Sequence, residues 1–309
     1  MKTEWYSRIF LIAITALFIS GCSDLKNGSQ AVNPVFVYVH PEGFSSPASP
    51  DFHGKAIQQA SWEMRNCRQC HGGSYTGSNA ISCVSAGCHA DASGNQKSPE
   101  SCNTCHGTFS SAANDTVSWA PPRSIAGDTA TTVEGVGAHQ NHLNAVVMDL
   151  SNPIACNSCH TVPSGVYVQG HFDSPLPAKV IFVNQLSKTS SGGATPSPTF
   201  DAQSLTCRNT YCHGNWQLKK SNSLHQFIYS DSVISGSQFA PQWTGGDSQG
   251  ACGTCHGLPP AGHDNSFGTS VSTCTGCHYR EASKQFGPLD KSIHINGKID
   301  LYGQEYSFR

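Results

Sequence analysis

The sequence predicts a mostly irregular fold: a few short helices and short strands wrapped around apolar bulk that the side chains do not supply. Three observations carry this. Of 309 residues only 37% are hydrophobic, below the usual share for a globular domain. Glycine and proline number 30 and 17, so turns interrupt the chain too often for long elements. Cysteine and histidine each occur 15 times, and their arrangement identifies the missing bulk. The formal net charge is −2 with 12% charged residues, which gives no basic face and excludes nucleic acid as an expected partner.

Residues 1–21 read as an export signal. Lys2 and Arg8 give a basic start, with Glu4 opposing it. Ile9 to Ile19 is an apolar run of 11 residues, too short to span a bilayer as a helix and suited to a signal core. Ile19-Ser20-Gly21-Cys22 resembles the lipobox of bacterial lipoproteins. The resemblance implies cleavage before Cys22 and lipid attachment to it. The plainer reading, a signal peptide with a chance cysteine, leaves Cys22 as the one cysteine with no other task. Ser23, where an aspartate would favour the inner membrane, leans towards the outer membrane.

Residues 22–60 are expected to form a tether and an N-terminal segment, with a short strand at Val35 to Val39 and the start of a helix at Lys55 to Arg65. Residues 61–150 and 151–309 read as two modules. A second short helix is expected at Ala138 to Val147. Short strands are expected at Val166 to Val168 and Val180 to Val183, and a Ser/Gly/Pro loop at Ser187 to Thr199.

The modules are defined by cysteine spacing. Beyond Cys22, fourteen cysteines fall into seven pairs. Five pairs enclose two residues: Cys67/Cys70, Cys102/Cys105, Cys156/Cys159, Cys252/Cys255 and Cys274/Cys277. Two enclose four: Cys83/Cys88 and Cys207/Cys212. Every second cysteine is followed at once by histidine, namely His71, His89, His106, His160, His213, His256 and His278. C-x-x-C-H is the attachment signature of c-type haem. Two thiols bond the haem vinyl groups, and the adjoining histidine lies under the iron. Four intervening residues enlarge the loop but keep that joint. Zinc sites do not require histidine at this place every time. Iron–sulfur clusters need four cysteines and no histidine. Disulfides suit an exported protein, yet cysteines this close rarely build a framework. The expected cofactor is haem c, seven copies covalently attached, three in the first module and four in the second. The spacing order two, four, two recurs at the start of each module, as an imperfect duplication would leave it.

Seven irons need seven further axial ligands. Eight histidines lie outside the motifs: His40, His53, His139, His142, His171, His225, His263 and His294. Only Met64 and Met148 remain as methionines once the signal is removed, so bis-histidine iron is expected, with low potentials. His139 and His142 share one face if helical. His225, in a polar stretch, looks most like the spare, with His40 next. Seven haems in a 288-residue mature chain (309 less 21) of radius of gyration about 19 Å are crowded into electron-transfer range.

The mixture of C-x-x-C-H and C-x4-C-H motifs resembles the outer-surface multihaem c-type cytochromes of metal-reducing bacteria. Local stretches agree: His-Pro-Glu-Gly-Phe before Phe-His-Gly-Lys, Tyr-Cys-His-Gly at 211–214, Cys-Gly-Thr-Cys-His-Gly-Leu-Pro-Pro at 252–260, and His-Ile-Asn-Gly-Lys near the end. The resemblance covers roughly residues 35–300. It implies electron export at the outer membrane, with other cytochromes or an outer-membrane conduit on one side and extracellular acceptors such as metal oxides on the other. No residue is then needed as acid, base or nucleophile. Two alternatives remain open: a multihaem reductase of oxyanions, which needs one open iron position, and a polymerising cytochrome filament, which a lipid on Cys22 would hinder.

Overall fold

The computed structural model describes residues 39–77, 81–84, 87–119, 123–144, 150–172, 178–278 and 293–308. The chain divides into two units, residues 1–60 and 61–309. In the first, turns lead into helix α1, His53–Gln59. The expected helix thus begins two residues early and stops well short of Arg65. Ser61 and Trp62 have φ of +54° and +65°, a left-handed conformation that ends a helix for residues carrying a Cβ. Of the strand expected at Val35 to Val39, only Val39 lies among the described residues, and it is exposed.

The second unit is mostly turns and bends, as its glycine and proline content dictates. Its helices are single turns: α2, Arg68–His71; α3, Cys102–Cys105; α4, His139–Leu143; and α5, Val271–Cys274. The helix expected at Ala138 to Val147 is therefore shorter within the described residues, ending where Asn144 turns extended. Among the described residues no helix is long and apolar enough to cross a membrane.

Strands form three separate antiparallel pairs: β1 (Thr199–Asp201) with β2 (Thr206–Arg208), β3 (Gln217–Lys219) with β4 (Val233–Ser235), and β5 (Lys298–Leu301) with β6 (Gln304–Ser307). The last is a two-residue hairpin. Tyr302 and Gly303 both take positive φ, +52° and +77°, the pattern whose twist matches that of the flanking strands. At β1–β2 the Asp201 carboxylate accepts from the Gln203 and Ser204 backbone N–H groups, at 2.9 and 3.3 Å, closing the turn locally.

The strands expected at Val166 to Val168 and Val180 to Val183 do not form. The first is a run of turn and bend, and the second carries Phe182 at φ +47°. Their backbone groups are taken elsewhere. The Val166 carbonyl accepts from His171 Nδ1 at 2.8 Å, and Ile181 N–H donates to the Cys159 carbonyl at 2.8 Å. The expected loop at Ser187 to Thr199 holds a short bridge between Ser191 and Ala194 and runs into β1.

Buried apolar side chains are scattered rather than gathered. They include Met64 and Tyr75 near the first motif, Val136 and Leu143 flanking α4, and Ile234 on β4. Near the first motif, Glu100 is a polar hub, accepting from Arg68 at 2.5 Å, Tyr75 at 2.5 Å and Tyr167 at 3.1 Å.

Candidate cofactor site

Four of the five closely spaced cysteine pairs sit on or beside helical turns, while Cys252 and Cys255 lie in turn and bend. Residues three apart share a helix face, so both thiols of such a pair point the same way. Cys67–Cys70 spans a 3-10 turn and α2, Cys102–Cys105 is α3, Cys156 opens a 3-10 turn, and Cys274 closes α5. The four-residue pair is built differently. Cys207 lies on β2, while Cys212 and His213 share the 3-10 turn Tyr211–His213. In the other such motif, Cys83 and Cys88 flank residues outside the described set, and Cys67 lies near enough to Cys83 to add to the rise that burial causes in its pKa. None of the fourteen motif cysteines is paired in a disulfide. Burial pushes Cys207 and Cys212 up to about 12 and Cys159 up to about 11. Cys22 lies outside the described residues.

Gly214, next to His213, has φ +88°, and a Cβ there would strike the Cys255 carbonyl. The fifth and sixth motifs therefore meet backbone to backbone. A strap continuing from β4 binds both: Ser237 N–H donates to the Cys255 carbonyl at 2.9 Å, and Phe239 N–H to the His213 carbonyl at 2.9 Å.

The histidines follow one rule. Nδ1 faces a backbone carbonyl in the motif residues His71 (Ile81, 2.8 Å), His160 (Lys179, 2.8 Å), His256 (Gly257, 2.9 Å) and His278 (Asp300, 2.7 Å). His106 does the same with Trp119. So do the non-motif residues His53 (Phe44, 3.0 Å), His139 (Val136, 2.8 Å), His142 (Ala138, 2.9 Å), His171 (Val166, 2.8 Å), His263 (Asp264, 3.1 Å) and His294 (Leu150, 2.5 Å). A carbonyl only accepts, so Nδ1 must carry the proton and Nε2 keeps its lone pair. That tautomer, oriented by a carbonyl, is how metal-binding imidazoles are prepared.

The exceptions are informative. His225 turns Nε2 to the Tyr306 hydroxyl at 3.3 Å, which fits the spare. His213 has a buried Nδ1 with no hydrogen-bond partner among the described residues. His40 stacks on Phe44 with ring centres 4.2 Å apart. His89 lies edge-on to Phe109 at 5.8 Å.

Several non-motif histidines meet motif histidines. Ring centres are 6.3 Å apart for His139 and His160, 6.2 Å for His142 and His213, and 6.5 Å for His256 and His294. Burial depresses His139 and His213 to about 4. It also lowers His106, with His171 adding to the effect, and His278, with His263 adding to it. Burial thus disfavours the protonated form of these rings, and metal ligands must be unprotonated. Among the described residues no three His, Cys, Asp or Glu side chains converge as a metal cluster. The imidazoles meet in pairs.

One cavity of about 340 Å³, mostly apolar, is lined by Cys156, Cys159, Cys207, Cys212 and the rings of His139, His142, His160 and His213. That volume lies in the range of cofactor sites, about 300–1,000 Å³. Trp243 also lines it, edge-on to His139 at 4.7 Å and near-parallel to His142 at 5.9 Å. Its Nε1 donates to the Glu134 carbonyl at 2.8 Å. No pattern in the sequence marks this tryptophan. Paired thiols, neutral imidazoles with Nε2 available and an apolar cavity together fit covalently bound haem c.

No curated protein and no solved structure gives a match to the chain. A model of the Geobacter CxxxxCH...CXXCH motif matches residues 206–256, the stretch in which the fifth and sixth motifs are strapped together. That match, on motifs the chain repeats along its length, supports its place in the multihaem c-type cytochrome family.

Proposed function

We propose that the chain is a seven-haem electron carrier, held at the outer membrane by lipid on Cys22. It exchanges electrons with other cytochromes or an outer-membrane conduit and passes them to extracellular acceptors such as metal oxides. The observation that carries the electron-transfer reading is the repetition of one site: seven cysteine pairs, each followed by histidine.

A bound haem supplies a one-electron iron couple whose potential is set by its axial ligands and surroundings. The chain's residues do the rest. Each cysteine pair would anchor one macrocycle through two thioether bonds. The adjoining histidine would present Nε2 to the iron, and in His71, His106, His160, His256 and His278 a carbonyl on Nδ1 fixes the tautomer and raises the basicity. Non-motif imidazoles would supply further ligands, and burial disfavours the protonated form of His139, His142 and His294. The family match, the paired imidazoles and the shared cavity support this reading. The anchor and the outer-membrane location rest on the lipobox-like Ile19 to Cys22 and on the family resemblance.

Intact mass and optical spectra of the purified protein in both oxidation states test it. The expected result is the mass of seven haems, lipid on Cys22 and purely low-spin bands. A lower haem mass overturns the count, beginning with the two C-x4-C-H sites. An unmodified Cys22 overturns the anchor. A high-spin band overturns the pure carrier and favours the oxyanion reductase.

A further inference from the structure

We propose that α4 supplies the distal ligands of two different haems, His139 opposite His160 and His142 opposite His213, with Trp243 as the residue that positions both rings. This rests on the haem reading above and adds the pairing of ligands, which the sequence leaves open.

An imidazole nitrogen lies about 2.0 Å from a first-row metal ion and its ring centre about 1.1 Å further back, so two rings across one ion have centres about 6.2 Å apart. The observed separations are 6.3 and 6.2 Å. His256 and His294 repeat the arrangement at 6.5 Å. Ordinary stacking in the same chain is much closer: His40 and Phe44, 2° from parallel, have centres 4.2 Å apart. His139 and His160 are only 26° from parallel yet stand 6.3 Å apart, too far for face-to-face contact. Each of the three pairs joins one motif histidine to one non-motif histidine.

Helix geometry makes the double duty feasible. His139 and His142 are three residues apart and share a face of α4. Each is locked by a carbonyl at or just before the helix start, Val136 and Ala138. Trp243 contacts both rings, and its indole is fixed from behind. Its Nε1 is bonded to Glu134, and Gly137 packs so closely on the indole that no Cβ would fit. The thiols of both motifs line the same cavity as these four rings.

The two pairs differ in a measurable way. Their planes meet at 26° for His139/His160 and 76° for His142/His213. Near-parallel imidazoles give a rhombic low-spin EPR signal, whereas near-perpendicular ones give a strongly anisotropic signal. In the full-length holoprotein, His139→Gly is expected to remove one rhombic component and create one high-spin haem. His142→Gly is expected to remove one strongly anisotropic component instead. The opposite assignment of signals overturns the pairing.

A second test uses Cys156→Ala/Cys159→Ala protein. Adding His139→Gly to it should create no high-spin haem, while adding His142→Gly should still create one. A high-spin signal from His139→Gly in that background overturns the pairing. If Cys156→Ala/Cys159→Ala protein keeps the full haem mass, the haem reading fails instead. Trp243→Ala should shift both the rhombic and the anisotropic signal at unchanged haem mass, and Trp243→Phe should restore much of the native spectrum. Unaltered signals in Trp243→Ala overturn its positioning role.

Discussion

The carbonyls that hold His71, His160 and His278 come from Ile81, Lys179 and Asp300, on segments that follow each motif in the chain. These three motifs are thus finished by backbone from downstream, and the ring is aimed by packing rather than by its own turn. His225 is the contrast. Its Nε2 is engaged with Tyr306, and aromatic rings of Phe227, Tyr302 and Tyr306 surround it at 5.6–6.1 Å. His225→Ala should leave the haem mass and low-spin spectrum unchanged. It should cost only a modest hydrogen bond, about 0.5–1.5 kcal/mol, read as a small fall in the urea midpoint. A new high-spin band in that variant would make His225 a ligand. At this scale the sequence was informative about residue identity: the cysteine pairs and their histidines announce themselves by adjacency. It was silent on pairing, because His142 and His213 meet only through the tertiary fold, and local spacing carries no record of such contacts. It was equally silent on Trp243, a lone aromatic between Gln242 and Thr244 with nothing periodic about it.

Among elements, shortness explains both what was legible and what was not. Strands of three or four residues are too brief for alternation to register, and β1 to β6 passed unseen for that reason. Valine-rich runs at 166–168 and 180–183 had the right composition, but neighbouring histidine and motif groups claimed their backbone first. The β5–β6 hairpin shows how such a small element serves a site. The Asp300 carbonyl on β5 accepts from His278 Nδ1 at 2.7 Å, and the turn residue Tyr302 gives its N–H to the Cys277 carbonyl at 2.8 Å. Ending the chain after Gly297 removes both. The truncated protein should keep its full haem mass, since Cys274, Cys277 and His278 remain. It should lose the fixed orientation of His278, and outer-shell losses of this kind weaken metal binding by about 10–100-fold. Titration with an external ligand such as cyanide, followed optically, should find one haem newly accessible. An unchanged titration would assign the hairpin no part in that site.

The molecule as a whole has too little apolar side chain gathered in one place to account for an ordered fold. The buried hydrophobic residues among those described, from Met64 to Leu301, number only eleven and are strung along the chain. Polar side chains, including Lys97, Asn103 and Asp300, are buried as deeply. Lys97 is held by the Phe109 and Ser111 carbonyls and by Asn103, and its ammonium lies 4.2 Å from the centre of the Phe109 ring. Its pKa is lowered by desolvation, a cost that a loosely packed chain would avoid by opening to water. An apolar cavity wall is shared by the fourth and fifth motifs. Such a surface is stable only when covered. Folding and cofactor attachment should therefore be coupled, as in small metal-dependent domains. Protein made in cells lacking the machinery that attaches haem to C-x-x-C-H should be open to protease along most of its length and show little ordered circular dichroism. The haem-loaded protein should resist the same digestion. If the haem-free chain proved as resistant as the loaded one, the core would have to reside in the polypeptide, and the reading of the composition with which the sequence began would be wrong.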